Sequence, residues 1–203
     1  MLPLLTPWFI HAALDAAGSA ERLGLATTEV HRLSDRSVQE LVLGPGSFEF
    51  AGPDGEPFYD ADERGHLGDA RLLLGLFLAV GGISIVGIGM ALGRGAAWRR
   101  PTWTVVSRAG LTTAVVVLGV GIVSLVAFDS LFTLFHQLFF PGGNWSFDPS
   151  TQHLVQLYPF RFWQIASAAL GVLVFLLGLG AWLLGRWAAR RSLADSALSV
   201  AGD

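Results

Sequence analysis

The sequence predicts an all-α polytopic membrane protein, a four-helix transmembrane bundle with two extracytoplasmic segments packed over its outer face. The first observation is composition, because 52% of the residues are apolar and only 14% are charged, whereas about 25% of a soluble domain is charged. The second is the presence of three uncharged runs, at 72–93, 109–128 and 164–185. Each run is long enough for the about 20 residues that span a hydrocarbon core.

The first of the four expected spans is the least regular. Residues 1–14 are apolar apart from His11, but a helix of that length covers only about 21 Å. The stretch lacks the basic start and the small-residue cleavage site of a secretory signal. We therefore interpret residues 1–18 as the outer part of a first span, truncated if the true start lies upstream of Met1.

Arginines predict the orientation, since short cytoplasmic loops collect positive charge. They cluster between the second and third runs and again after the last, at Arg94, Arg99, Arg100, Arg108, Arg186, Arg190 and Arg191. Both regions, including the C-terminus, are expected in the cytoplasm. The predicted membrane domain, 1–203, then consists of a first span (1–18), an outer segment (19–71), a second span (72–93), a cytoplasmic loop (94–108), a third span (109–128), a second outer segment (129–160), a fourth span (161–185) and a cytoplasmic tail (186–203).

The first outer segment has mixed local signals. Ser34 is a suitable N-cap ahead of Val38, Leu41 and Val42, which predicts a short helix, and the β-branched residues nearby favour a strand. Turn-forming residues dominate the stretch that follows, "GPGSFEFAGPDGEPFYD". We expect this segment to fold onto the membrane face and to pair with the second outer segment.

A first candidate site surrounds His66, in "YDADERGHLGDARLLLG" at the outer mouth of the second span. On a helix entered near Asp60 or Asp62, the residues Glu63, His66 and Asp69 recur every three positions, so both carboxylates could flank the imidazole. A carboxylate partner on one ring nitrogen leaves the other free as a base. The alternative is a helix N-terminus that carries acids because of its dipole, with His66 a bystander.

A second candidate site surrounds His136, in "FDSLFTLFHQLFFPGGNWSFDP" just past the third span. An apolar stripe at helical spacing, which alone is more often packing or lipid contact, is formed by Phe128, Phe132, Phe135 and Phe139. His136 is displaced from this stripe by one residue and shares a helical face with Phe132, Phe139 and Phe140. An ionisable residue at membrane depth, however, is costly and indicates function. Asp129 lies two turns away, about 10 Å along a helix, and is too far to orient His136 unless the backbone bends. By the predicted topology His66 and His136 share one membrane level and could meet.

The residues around the second histidine suggest supporting roles. Trp145 is expected to anchor the chain at the interface, and Asp148, before a proline, to form a turn. Arg161 is expected to meet lipid phosphate or simply to extend its head to the interface. The remaining histidines, His11, His31 and His153, are expected to be solvated or locally hydrogen-bonded.

Several classes of protein are disfavoured. The chain has no cysteine, so it has no thiolate nucleophile and no cysteine-ligated metal. Nothing in the sequence indicates nucleic-acid binding or a nucleotide cofactor. A transporter is disfavoured because no charge lies inside the three runs and no repeat relates the two halves. The glycines of these runs, such as Gly81, Gly82, Gly87 and Gly89, predict close helix packing instead.

Two stretches, "ERGHLGDARLLLG" and "FDSLFTLFHQLFFPGGNWSFDPSTQHLVQLYPFRFW", resemble the lipoprotein intramolecular transacylase family, Lit. The shared pattern is H-x-x-D ahead of a span, then F-D-x-x-F-x-x-F-H-x-x-F-F, a tryptophan and D-P; it is strongest over residues 59–163. The resemblance implies that His66 and His136 are catalytic. It also implies transfer of the sn-2 acyl chain of a diacylglyceryl-modified lipoprotein to the α-amino group of its own N-terminal cysteine, which gives a lyso-form lipoprotein.

The implied reaction requires little machinery. The nucleophile and the ester belong to one molecule, so the enzyme mainly folds the substrate into a reactive geometry and moves protons. In this hypothesis His66, oriented by Asp69 or Glu63, deprotonates the amine, and His136 stabilises the oxyanion or protonates the glyceryl oxygen, or the two exchange roles. No cofactor is expected. The partners are the diacylated lipoprotein and membrane phospholipid, at the outer face of a bacterial plasma membrane, with the phenylalanines as walls for acyl chains.

Two alternatives remain. A metal hydrolase would use His66, Asp69 and His136, but H-x-x-D is a weak signal without a third firm ligand and a supporting shell, and insensitivity to a chelator would remove it. A non-enzymatic membrane scaffold or regulator would bind a partner through the outer segments, and indifference to conservative changes at both histidines would distinguish it.

Overall fold

The computed structural model describes residues 2–201 and divides the chain into two compact units. The first unit combines the residues up to Leu76 with Ala127–Leu170, and the second combines Phe77–Val126 with the residues from Gly171 onward. The described elements are a 3₁₀ turn, Leu2–Leu5, and the helices α1 (Pro7–Ala17), α2 (Ser19–Leu23), α3 (Thr27–Val42), α4 (Ala61–Gly93), α5 (Ala96–Phe139), α6 (His153–Leu157) and α7 (Phe160–Ala201).

Three of the described helices are long and apolar enough to cross a membrane. They extend over Ala61–Gly93, Trp98–Phe139 and Phe160–Arg191 and contain the three uncharged runs of the sequence. This agreement follows from physics, because a span in lipid needs about 20 apolar residues and must pair all its backbone groups internally, as a helix does.

The described chain therefore has three such helices where the sequence predicted four. The described part of residues 1–18 forms the 3₁₀ turn and α1, whose 11 residues extend only about 16 Å. Ile10, Ala13 and Leu14 on α1 are buried in the core of the first unit. The apolar residues that suggested a span are thus used for packing within the protein.

The core of the first unit joins α1, α2, α3 and α6. Its centre includes Leu14, Leu33, Phe48 and Leu157, which are fully buried. The Ser19 hydroxyl donates a 2.8 Å hydrogen bond to the Leu157 carbonyl, which connects the start of α2 to α6. Residues 19–71 and 129–160, the segments that the sequence predicted to pair, therefore do pack against each other.

Helix α3 begins earlier than the sequence predicted. It begins at Thr27, so Ser34 is not an N-cap but lies on the buried face of the helix. There its hydroxyl shares a 3.0 Å hydrogen bond with that of Tyr158. The expected strand is absent from residues 2–201, which contain only an isolated antiparallel bridge between Ala51 and Pro57.

Local polar contacts occupy the three histidines outside the candidate site. His11 and His31 stack with ring centroids 3.9 Å apart, and each also contacts a carboxylate of the opposite helix, Asp35 at 2.9 Å and Asp15 at 2.8 Å. His153 donates from Nδ1 to the carbonyl oxygen of Phe58 at 2.5 Å. All three are locally hydrogen-bonded, as expected.

In the second unit, α5 and α7 approach closely at three glycines. A Cβ built on Gly110 would lie 2.6 Å from the Gly178 carbonyl oxygen, and one on Gly185 would lie 2.7 Å from the Trp103 carbonyl oxygen. The glycines from which the sequence predicted close packing, Gly81, Gly82, Gly87 and Gly89, have nothing within 4 Å of such a Cβ. Close packing is therefore present, but at other glycines.

Helix α5 is interrupted at Ala127, whose φ of −134° and ψ of 32° are not helical. The part of the first unit that covers Ala127–Leu170 also begins at this residue. The phenylalanine-rich end of α5 therefore belongs to the same unit as α1, α2, α3 and α6.

Candidate active site

The start of α4 is held by a reciprocal pair of hydrogen bonds. The Glu63 amide donates to Asp60 Oδ1 at 2.8 Å, and the Asp60 amide donates to Glu63 Oε2 at 2.7 Å. This capping box satisfies two otherwise unpaired backbone donors of the helix. The second Glu63 oxygen accepts from the Leu154 amide at 2.6 Å, so the buried carboxylate joins α4 to α6.

His66 follows Glu63 by three residues and is half-buried among aromatic rings. Its ring centroid lies 4.6 Å from that of Phe140 and 5.5 Å from that of Phe147. Its Nδ1 atom is buried and has no hydrogen-bond partner. The predicted orientation by Glu63 is not observed, because both Glu63 oxygens are occupied by backbone amides.

His136 is buried, with 8% of its surface exposed. Its Nδ1 lies 2.7 Å from the Phe132 carbonyl oxygen. A carbonyl oxygen can only accept, so Nδ1 carries the hydrogen, and in the neutral imidazole Nε2 holds the free lone pair. One backbone contact therefore defines the tautomer of this histidine.

The two histidines meet, as the sequence suggested that they could. Their ring centroids are 5.8 Å apart, with an angle of 23° between the ring planes. Phe140 contacts both rings, at 4.6 Å from His66 and 5.5 Å from His136. Phe132 and Trp145 lie against His136 at 4.2 and 5.2 Å. The pair is thus walled by aromatic side chains.

Asn144 enters the site without having been predicted. Its Nδ2 donates to Asp69 Oδ2 at 3.0 Å, which ties the loop after α5 to the turn of α4 that follows His66. Asp69 consequently makes its hydrogen bond with Asn144, not with His66. The Asn144 Oδ1 atom is buried without a hydrogen-bond partner. Its place after a proline and two glycines, on a turn beside a candidate histidine, is the sequence signal that could have identified it.

The other predicted supporting residues lie further out. Asp129 is exposed, and Asp148 is an exposed turn residue whose Oδ1 accepts from the amide and hydroxyl of Ser150. Arg161 is exposed and donates to Gln164 at 3.4 Å. Phe139 packs on Phe135 with 4.9 Å between centroids and does not share the buried position of Phe140.

The described residues do not form a metal-binding cluster. Within the described part of the chain, no three His, Cys, Asp or Glu side chains are placed to hold a metal ion. The combination of His66, Asp69 and His136 that the sequence suggested as a metal site is therefore not assembled. What the arrangement offers instead is two imidazoles with free ring nitrogens, in contact with apolar walls.

The fold and the site together define a class: a multi-pass membrane protein with a paired-imidazole centre in an aromatic enclosure. A family model described as lipoprotein intramolecular transacylase Lit matches residues 7–163. The chain therefore belongs to the lipoprotein intramolecular transacylase family, and membership implies an acyltransferase that acts on lipoproteins.

Two individual proteins are similar to the chain. An uncharacterised protein of Aquifex aeolicus is 26% identical over 164 residues, which cover 78% of this chain and 72% of that protein. The in meso structure of the membrane integral lipoprotein intramolecular transacylase Lit from Bacillus cereus superposes with a TM-score of 0.69 at 18% identity, covering 96% of this chain and 86% of the other. The second likeness establishes the fold.

Proposed function

We propose that this protein moves the sn-2 acyl chain of a diacylglyceryl-modified lipoprotein to the α-amino group of the lipoprotein's N-terminal cysteine, with His66 and His136 as catalytic residues. The main support is that these two histidines, which are 70 positions apart in the chain (136 − 66), lie close together in the structure. Their ring centroids are 5.8 Å apart. Family membership supports the class of reaction, and this site supports its chemistry.

The tautomer of His136 favours one of the two role assignments. With its Nδ1–H donated to the Phe132 carbonyl, the neutral ring presents the Nε2 lone pair as a base. His136 therefore takes the proton from the α-amino group of the cysteine while the nitrogen of that amino group attacks the ester carbonyl. His66, whose ring centroid lies 5.8 Å from that of His136, then donates an N–H to the oxyanion.

The proton balance of this scheme closes without an external reagent. A C–N bond forms, the ester C–O bond breaks, and the proton that leaves the amine returns through His136 to the departing glyceryl oxygen. General acid–base catalysis of this kind contributes about 10²–10⁴-fold. The aromatic walls provide an apolar surface against which acyl chains can lie, so substrate geometry supplies much of the remainder.

The test is mass spectrometry of the N-terminal lipopeptide of a reporter lipoprotein, co-expressed with the protein in a host that leaves the diacyl form unmodified. An O-to-N shift leaves the total mass unchanged, so fragmentation must locate the chain on the amine. We expect the lyso-form with the unaltered protein and a loss of about 10²-fold or more with either His66→Ala or His136→Ala. His31→Ala is the matched control, because His31 pairs with Asp15 outside the site.

The outcomes separate the competing functions. Loss with only one histidine variant would contradict a two-histidine mechanism. A diacyl product in every strain would favour the scaffold or regulator that binds partners through its outer segments. Activity that disappears with a chelator would instead favour a metal enzyme.

We further propose that the histidine site faces the extracytoplasmic side of a bacterial plasma membrane and that the C-terminus is cytoplasmic. The arginine clusters of the sequence support this orientation. Because the chain has no cysteine, a single introduced cysteine gives an unambiguous label. A membrane-impermeant maleimide should label Glu56→Cys in intact cells and Arg190→Cys only after permeabilisation; the reverse pattern would invert the topology.

A further inference from the structure

A polar cleft of about 270 Å³ lies beside the histidine pair, within the first unit. Its walls are formed by Asp62, Gly142, Gly143, Asn144, Ser146, Phe147 and Gln152. Two of these residues connect it to the site: the Phe147 ring lies 5.5 Å from His66, and Asn144 is hydrogen-bonded to Asp69. We refer to it as the polar cleft.

The chemistry of the polar cleft differs from that of the aromatic side. His136 is enclosed by Phe132, Phe140 and Trp145, which suits hydrocarbon. The polar cleft instead presents an acid, two amides and a hydroxyl, and burial of an acyl chain against such groups would leave them without hydrogen bonds. A phosphate head group is equally unsuitable, because Asp62 is the charged residue of the lining.

One of the lining residues, Asn144, has a buried side-chain atom without a hydrogen-bond partner. A carboxylate can only accept hydrogen bonds, so the Asn144 side chain must present Nδ2 to Asp69, and this fixes the position of Oδ1. Oδ1 is buried and has no hydrogen-bond partner in the described structure. A buried acceptor left unpaired costs about 1–3 kcal/mol, a cost that a ligand N–H would remove.

The backbone next to Asn144 leaves room for such a ligand. A Cβ placed on Gly142 or Gly143 would meet nothing within 4 Å, and Gly143 has a φ of +78°. Larger residues at these positions would project side chains beside the lining, and at Gly143 any other residue would be strained. The loop thus combines an open backbone with an unsatisfied acceptor.

We propose that the polar cleft binds the peptide that follows the lipidated cysteine of the substrate, with Asn144 Oδ1 accepting a hydrogen bond from a backbone N–H of that peptide. The inference rests on the proposed function and adds to it a peptide-binding site. Acyl chains and peptide then each lie against groups of matching polarity. Recognition through backbone amides would accept many peptide sequences.

The test measures binding separately from catalysis. The probes are two N-acetylated diacylglyceryl ligands, which have no nucleophilic amine: a single cysteine and the same cysteine followed by five residues. Binding to the full chain in nanodiscs is followed by fluorescence anisotropy. We expect the longer probe to bind about 5–150-fold more tightly, as one satisfied buried acceptor implies, and Asn144→Ala to abolish that preference.

A second variant and a control make the result decisive. Ser146→Phe fills the exposed rim of the polar cleft and should also abolish the preference, whereas Gln137→Ala, at an exposed position on α5, should retain it. Equal binding of both probes by the unaltered protein, or equal weakening of both by Asn144→Ala, would overturn the proposal. A preserved preference in a protein that makes no lyso-form product would refute the proposed function alone.

Discussion

Glu63 illustrates how a single buried residue can be misread from its sequence position. The sequence placed it beside His66 as an orienting carboxylate, but it is 1% exposed and accepts hydrogen bonds from the amides of Asp60 and Leu154. The second bond crosses 91 positions, a contact that no local pattern indicates. Its role in this structure is to join the two halves of the first unit.

Replacement of Glu63 should therefore cost stability. Glu63→Ala leaves the buried Leu154 amide and the part-buried Asp60 amide without their acceptor, and we expect the free energy of unfolding to fall by about 2–4 kcal/mol. Glu63→Gln retains one acceptor and should lose about half as much. Thermal unfolding in detergent would measure both, with the exposed Glu56→Ala as the control; a loss no greater than that of the control would contradict this role.

Two buried tyrosines predict an alkaline transition of the first unit. Burial raises the pKa of Tyr158 to about 12 from 10.0 and also raises the pKa of Tyr59. The folded state keeps these protons to higher pH than the unfolded chain does. Their stabilisation is therefore complete below about pH 10 and is lost as the pH rises towards 12, by about 2–3 kcal/mol for Tyr158.

The measurement is chemical unfolding followed from pH 8 to pH 12, together with tyrosinate absorbance. The chain has 2 tyrosines, so the absorbance reports on this pair alone. Tyr158→Phe should be less stable at neutral pH, because it loses the hydrogen bond to Ser34, and should lose the Tyr158 part of the alkaline decline. Ionisation of both tyrosines near pH 10 in the folded protein would contradict their burial.

At the scale of the element, the contact between α5 and α7 depends on the absence of side chains. A methyl group at Gly110 would lie 2.6 Å from the backbone of α7. This distance is too short for a van der Waals contact, so the two helices would have to move apart. We expect Gly110→Ala to lower the free energy of unfolding by about 1–3 kcal/mol. Thermal unfolding of the purified protein is the measurement.

The same helices contain matched controls. A methyl group added to Gly119 on α5 or to Gly180 on α7 would have nothing within 4 Å. Gly119→Ala and Gly180→Ala should be neutral or stabilising, since alanine is favoured over glycine in a helix by about 1 kcal/mol. Equal effects of Gly110→Ala and Gly119→Ala would show that helix propensity, not close approach, determines the outcome.

At the scale of the whole molecule, the features predictable from sequence were those that the solvent imposes. The runs at 72–93, 109–128 and 164–185 are helical because lipid permits little else. Residues 1–14 were misinterpreted because a short apolar helix in a protein core has the same composition as part of a span. The sequence could not show which glycines allow close helix packing, because Gly82 and Gly110 differ only in whether another helix lies against them.

The part of the candidate site that the sequence could predict was the proximity of its two histidines. His66 and His136 were each expected at one membrane level, and their rings meet. The partners of these residues were not predictable, since Asn144 bonds to Asp69 across 75 positions. Helical spacing indicated a carboxylate beside His66, but spacing does not reveal which competing donors a carboxylate will satisfy.

The division of the first unit between two chain segments has a consequence for biogenesis. Residues up to Leu76 leave the ribosome first, yet their core includes Leu154 and Leu157 from the second segment. Between them the chain must insert the apolar stretch of Phe77–Val126. The nascent N-terminal segment therefore stays incompletely packed until the intervening apolar stretch and the second segment have been synthesised, so the aromatic enclosure of His66 and His136 is completed only after both transmembrane helices on either side of residue 95 have been made.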